Sequence, residues 1–173
     1  VESAVHTGKG YAASPATSPE NEFFFENAKL TVAQYTENEN AIVRNLLRDY
    51  LEASAILGIK DELTEKAELV RCQMVPTAIG SEGQILERNG EFGEVDQHHR
   101  HLSHLYELHP GRGITEDTPA LYEAARNSLL RRGDEGTGWS LAWKILMWAR
   151  MKDGAHVGEL LNHILRLVEP DGS

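Results

Sequence analysis

From about Asn38 onward, apolar side chains recur at three- and four-residue steps, the spacing that gathers them on one face of a helix. Ile42, Val43, Leu46, Leu47, Tyr50, Ile56 and Leu57 mark a first helix, and Gly58 is its expected C-terminal cap. A second is signalled by Asp61 as N-cap, by Leu63, Ala67, Val70 and Met74, and by Pro76 as its stop. A third opens at Thr118-Pro119, where proline suits the first helical position, and runs through Leu121, Ala125 and Leu129 to Gly133. A fourth starts near Trp139 and carries Leu141, Ala142, Ile145, Leu146 and Ala149 to Gly154. The fifth holds Val157, Leu160, Leu161, Ile164, Leu165 and Val168 before Pro170.

Two stretches interrupt this period. Residues 1–29 mix Gly8, Gly10, Pro15 and Pro19 with the triplet Phe23-Phe24-Phe25, and are expected to be loop with a short strand at most. Residues 76–97 read as an irregular connection with one short β-hairpin at Asn89-Gly90. A connection of that length inside a compact domain usually serves function, and this one leads into a cluster of histidines. Five helices with at most one hairpin predict an all-α fold of antiparallel neighbours in a single domain.

Charge and composition then remove whole classes. With 17 Lys+Arg against 27 Asp+Glu the net charge is −10, which argues against nucleic acid or an anionic membrane as partner. No apolar run approaches the roughly 18 to 20 residues of a membrane-spanning helix, since Lys144 interrupts the best candidate at Trp139–Ala149. A soluble protein is expected. Cys72 is the sole cysteine, without a partner for an intrachain disulfide or a cysteine-type zinc site, and is expected to be a small buried hydrophobe. Val1 and the terminal Asp171-Gly172-Ser173 read as mid-loop, as in a piece of something longer, and indicate no compartment.

Three loop-associated segments carry candidate chemistry. Glu20, in Ser18-Pro19-Glu20-Asn21, is either an ordinary solvated carboxylate or a general acid whose pKa is raised by desolvation beside Phe23, Phe24 and Phe25. Five of the eight histidines fall between positions 98 and 109. His98, His101 and His104 would share one side of a helix, so a metal site is one hypothesis. The other, which needs no cofactor, has Arg100, His101 and His104 donating hydrogen bonds to a polyhydroxyl ligand or to loop carbonyls. Trp139, Trp143 and Trp148 are expected in the core, with Trp139 the exception because it follows the glycine-rich turn Gly136-Thr137-Gly138, where backbone approaches a ligand closely. Arg131-Arg132 read as cations at a helix C-terminus.

Taken in order, Ser-Pro-Glu-Asn (18–21), Gly83-Gln84-Ile85-Leu86-Glu87, Arg100-His101-Leu102-Ser103-His104-Leu105-Tyr106 with Pro110-Gly111, and Gly138-Trp139-Ser140-Leu141-Ala142-Trp143-Lys144 with Ala149-Arg150 and Asp153-Gly154 resemble glycoside hydrolase family 95. The resemblance implies a helix-pair toroid, an (α/α)6 barrel that is incomplete here because five helices cannot close a ring of twelve. It implies an inverting exo-α-L-fucosidase acting on 1,2-linked fucose of an oligosaccharide or glycan without metal or cofactor, in a secreted, periplasmic or cell-surface setting; some members are α-L-galactosidases. It makes Glu20 the general acid, with Asn21, Arg100, His101, His104 and Trp139 shaping the sugar pocket. The water-activating groups of the family, an asparagine pair upstream of the acid and an aspartate downstream of the Trp helix, have no match, so the chain alone is expected to be inactive and to need the remainder of the barrel. Two positions depart from the family pattern: Arg88 stands where a tryptophan is usual, which would alter the sugar that stacks there, and Glu39 aligns with a usual aspartate. The competing expectations are a non-catalytic helical module that binds carbohydrate or protein, and a metal-dependent hydrolase around His98, His101 and His104.

Overall fold

The computed structural model describes residues 4–166. The expected last-helix residue Val168, its stop Pro170, and the terminal residues Val1 and Asp171-Gly172-Ser173 lie outside them. Five helices are present: α1 (Glu37–Leu57), α2 (Glu62–Cys72), α3 (Pro119–Arg132), α4 (Gly138–Arg150) and α5 (Gly154–Leu165). Their ends follow the local signals. Gly58 caps α1 in the left-handed region at φ 69, where a side chain would be strained. Asp61 accepts from the Thr64 N–H at 2.9 Å while the Thr64 hydroxyl receives the Asp61 N–H at 2.9 Å, a reciprocal cap on α2. Among the described residues no helix is long and apolar enough to cross a membrane.

The expectation of an all-α chain needs correction, because short antiparallel ladders occupy most of the N-terminal stretch. β1 (Ala4–His6) pairs with β2 (Tyr11–Ala13), β3 (Ala16–Thr17) with β6 (Val32–Ala33), and β4 (Phe23–Phe25) with β5 (Ala28–Leu30). The expected hairpin at Asn89-Gly90 is replaced by β7 (Gly93–Glu94), which adds to the other edge of β4, and by a single bridge between Ile79 and Ile85. Strands of two or three residues are too short to display an alternating pattern, so the sequence concealed them.

The main core joins α3, α4 and α5 to the connection that precedes them. Leu129, Leu141, Met147, Trp148 and Leu160 pack with Ile85, Leu102, Leu105 and Leu108. A second cluster, Leu47 with Ala67, Val70 and Met74, holds α1 against α2. The periodic face of α1 is only partly used, since Ile42, Leu46, Ile56 and Leu57 are exposed, as are Leu63 of α2 and Leu161 and Leu165 of α5. Cys72 is exposed too, contrary to expectation, and its thiol is pushed up by its hydrogen bond to Glu68.

Candidate active site

The segment Ser18-Pro19-Glu20-Asn21 is a turn closed by the Asn21 N–H donating to the Ser18 carbonyl at 3.1 Å. Proline occupies the second position and Glu20 the third, with φ 52, a left-handed conformation normally filled by glycine. This geometry lifts the Glu20 side chain to the surface, where it is 60% exposed. The desolvating phenylalanines expected around it are engaged elsewhere: Phe23 packs on Phe92 and beneath Arg88, Phe25 meets Phe92, and Phe24 is exposed.

Glu20 instead meets the residues of the histidine segment. One oxygen of its carboxylate accepts from the Arg100 guanidinium and lies 3.3 Å from His101 Nε2. The His101 ring packs on Trp139, centroids 4.7 Å apart, and stacks on His99 on its other side. Trp139, in the first turn of α4, is 47% exposed, while Trp148 is buried in the core and Trp143 donates its indole N–H to the His109 carbonyl at 3.1 Å. The Ser140 hydroxyl, fully buried, donates to the Arg100 carbonyl at 2.7 Å and ties α4 to the histidine segment. The close approach at Gly136, φ 150, is to this Ser140 side chain, 3.1 Å from where a Cβ would sit. The structure thus gathers Glu20, Arg100, His101 and Trp139 into one exposed patch drawn from three separated segments.

Asn21 and His104, the other two expected contacts, lie in a buried layer below. That layer centres on Glu87, which the motif contained but to which no role was attached. Ser18 donates its hydroxyl to Glu87 Oε1, and the Asn21 side-chain amide donates to Oε2 at 2.8 Å. Arg132 donates to the same Oε2 at 3.0 Å, and Arg88 approaches it at 3.4 Å while bonding the Asn21 carbonyl at 2.9 Å. Burial pushes the Glu87 carboxyl up, but His104, Arg132, Arg88 and the Ser18 hydroxyl outweigh it and hold it at about 2. His104 is lowered as well, but here burial is the cause: it is the largest effect, Glu87 opposes it, and the result is about 4, so the imidazole is neutral at pH 7.

Several expectations change with this layer. Arg88, standing where the resemblance expects tryptophan, is buried over Phe23 and donates to the Asn21 carbonyl at the end of the Glu20 turn. Arg132 is not simply a cation at a helix end, since it binds Glu94 at 2.9 Å and the Gln97 carbonyl at 2.8 Å as well as Glu87. Glu39 accepts from the Thr17 N–H at 3.2 Å, anchoring the strand that enters the turn. Glu87 and Arg132 left little signal, because charged residues are read as solvated unless a partner is known, and theirs are far away in sequence.

The histidines do not share a helix face. His98 points its Nδ1 to the Arg132 carbonyl at 3.3 Å, His101 faces Glu20, and His104 is buried in a short 3-10 turn, Ser103–Leu105. Among the described residues no three His, Cys, Asp or Glu side chains are grouped to hold a metal ion. A cleft of about 480 Å³ lies beside the Glu87 layer, lined by Arg88, Phe92, Glu94, His104, Arg131 and Arg132 among others.

The family model described as the glycosyl hydrolase family 95 catalytic domain matches residues 2–173. Alpha-L-fucosidase 2 of Arabidopsis thaliana is 38% identical over 160 residues, 91% of this chain and 19% of that protein. A probable alpha-fucosidase A of Aspergillus niger is 36% identical over 78 residues, 41% of this chain and 10% of that protein. Its counterpart in Aspergillus oryzae is 27% identical over 163 residues, 86% of this chain and 21% of that protein. The chain therefore spans about a fifth or less of the length of the relatives it matches.

Proposed function

The chain belongs to glycosyl hydrolase family 95, and from that premise we propose that it carries the acid-bearing part of an inverting exo-α-L-fucosidase site, with Glu20 as general acid. The observation that carries the reading is the exposed Glu20 carboxylate gathered with Arg100, His101 and Trp139 from three segments of the chain. In this reading a terminal α-L-fucosyl residue, 1,2-linked in a glycan, seats against Trp139 while Arg100 and His101 turn to its hydroxyls. Glu20 gives its proton to the glycosidic oxygen as the bond to the anomeric carbon breaks. Water attacks from the opposite face, and the sugar leaves with inverted configuration. Asn21 and His104 support the pocket from below.

The five helices form part of an (α/α)6 ring in this proposal. The short connections between α1 and α2 and between α4 and α5 supply the helix pairs such a ring is built from. The chain spans 19% of the length of alpha-L-fucosidase 2, and in this proposal the group that activates water belongs to the remainder of the barrel, so that the isolated chain does not turn over.

The test is Glu20→Gln in the complete enzyme. Turnover of a fucosylated oligosaccharide is expected to fall by about 10²- to 10⁴-fold while fucose binding survives. If binding and turnover fall together, Glu20 is structural.

A further inference from the structure

Glu20 is strained and exposed at the tip of its turn, two properties that would ordinarily let it wander. A non-glycine residue in the left-handed region is strained and persists only where its surroundings over-determine it. Here the two ends of the turn are held by one neighbouring segment, Glu87-Arg88. The side chains at the two ends of the turn, Ser18 and Asn21, both terminate on the carboxylate of Glu87, one on each oxygen. Arg88, next in sequence, takes the Asn21 carbonyl, so both faces of that residue are held.

Glu87 is itself anchored to three other parts of the chain. Its backbone carbonyl accepts the Glu37 N–H at 3.0 Å at the start of α1, Arg88 bridges to Thr36, and Arg132 fixes its carboxylate to the end of α3. A carboxylate that is ionised at neutral pH offers acceptors on both oxygens, and those of Glu87 are taken by donors from Ser18, Asn21 and Arg132. An ordinary buried ion pair would be satisfied by Arg132 and Arg88 alone; nothing in charge balance requires it to collect the two end residues of the Glu20 turn.

We propose that Glu87 is a positioning residue for the reaction: by clamping Ser18 and Asn21 together it fixes the turn that aims the Glu20 carboxyl at the glycosidic oxygen. This rests on Glu20 being the general acid. In this role Glu87 acts through the turn, so its loss misplaces the proton donor without removing the sugar contacts of Arg100, His101 and Trp139.

The test is made in the complete enzyme with two fucosides that differ in their need for an acid, methyl α-L-fucoside, whose leaving group must be protonated, and dinitrophenyl α-L-fucoside, whose leaving group departs unaided. For Glu87→Gln, kcat on the methyl glycoside is expected to fall about a hundredfold or more with KM unchanged, and kcat on the dinitrophenyl glycoside to stay within about tenfold. Ser18→Ala, which removes one arm of the clamp and leaves the buried charges paired, is expected to show the same selectivity in weaker form, and decides the matter if Glu87→Gln does not fold. Equal losses on both fucosides in folded variants, or no loss on either, overturn the positioning role. If the unmodified enzyme cleaves neither these fucosides nor a 1,2-fucosylated oligosaccharide, the fucosidase reading itself fails, and this inference with it.

Discussion

Arg132 Nη2 lies 3.0 Å from Glu87 Oε2, and the two side chains are only 3% and 8% exposed. The pair fastens the C-terminal end of α3 to the segment that underlies the acid turn. Breaking such a pair leaves an uncompensated buried charge, so Arg132→Met is expected to destabilise the chain by about 3 kcal/mol. Arg131→Ala, whose partner Glu94 is partly exposed, should cost less than about 1 kcal/mol. Denaturant midpoints of the two variants check this, and equal losses would show that burial does not set the strength of these pairs.

Stability should fall as pH drops below neutrality. His104 is lowered from its ordinary 6.5 to about 4 by burial, so between those values the unfolded chain binds a proton that the folded chain refuses. The folded state thereby loses up to about 1.4 kcal/mol for each step of one in pH across this window. His99 and His109, also lowered by burial, act in the same direction, and Glu87 adds a further loss between about pH 4.5 and its own value of about 2. Unfolding measured from pH 7 to pH 4 should show the decline, and His104→Gln should flatten it. An unchanged slope in that variant would mean His104 takes up its proton in the folded state.

Trp139→Ala separates a stacking surface from a packing one. Because the ring is about half exposed and rests on His101, its removal should leave thermal unfolding unchanged while raising the KM for a fucoside about three- to tenfold in the complete enzyme. A lowered melting temperature with KM intact would place the ring in the packing of α4.

The reciprocal cap on α2 gives a local control. Asp61→Ala removes the side chain that accepts from the Thr64 N–H and should cost about 1 kcal/mol by denaturant unfolding, with no effect on the acid turn. A negligible cost would mean that α2 draws its stability from Ala67, Val70 and Met74 packing on α1 instead.

What the sequence determined by itself is local. Helix starts and stops at Asp61, Thr118-Pro119, Gly58 and Gly133 are legible because caps act within four residues, and α2 to α5 follow from apolar spacing read over a single turn. The motif residues Glu20, Arg100, His101 and Trp139 could likewise be picked out one by one. Tertiary structure decided which of two carboxylates faces solvent and which is buried, since Glu20 and Glu87 are alike in isolation and differ through partners distant in sequence, such as Arg100, 80 residues from Glu20, and Asn21, 66 residues from Glu87. It decided that three-residue stretches in 4–33 become strands, because a ladder of that length is stabilised by its neighbour rather than by its own pattern. It also decided that Leu47 is covered while Leu46, beside it on α1, is bare. Periodicity reports which side chains share a face; what covers that face is set by contacts between distant parts of the chain.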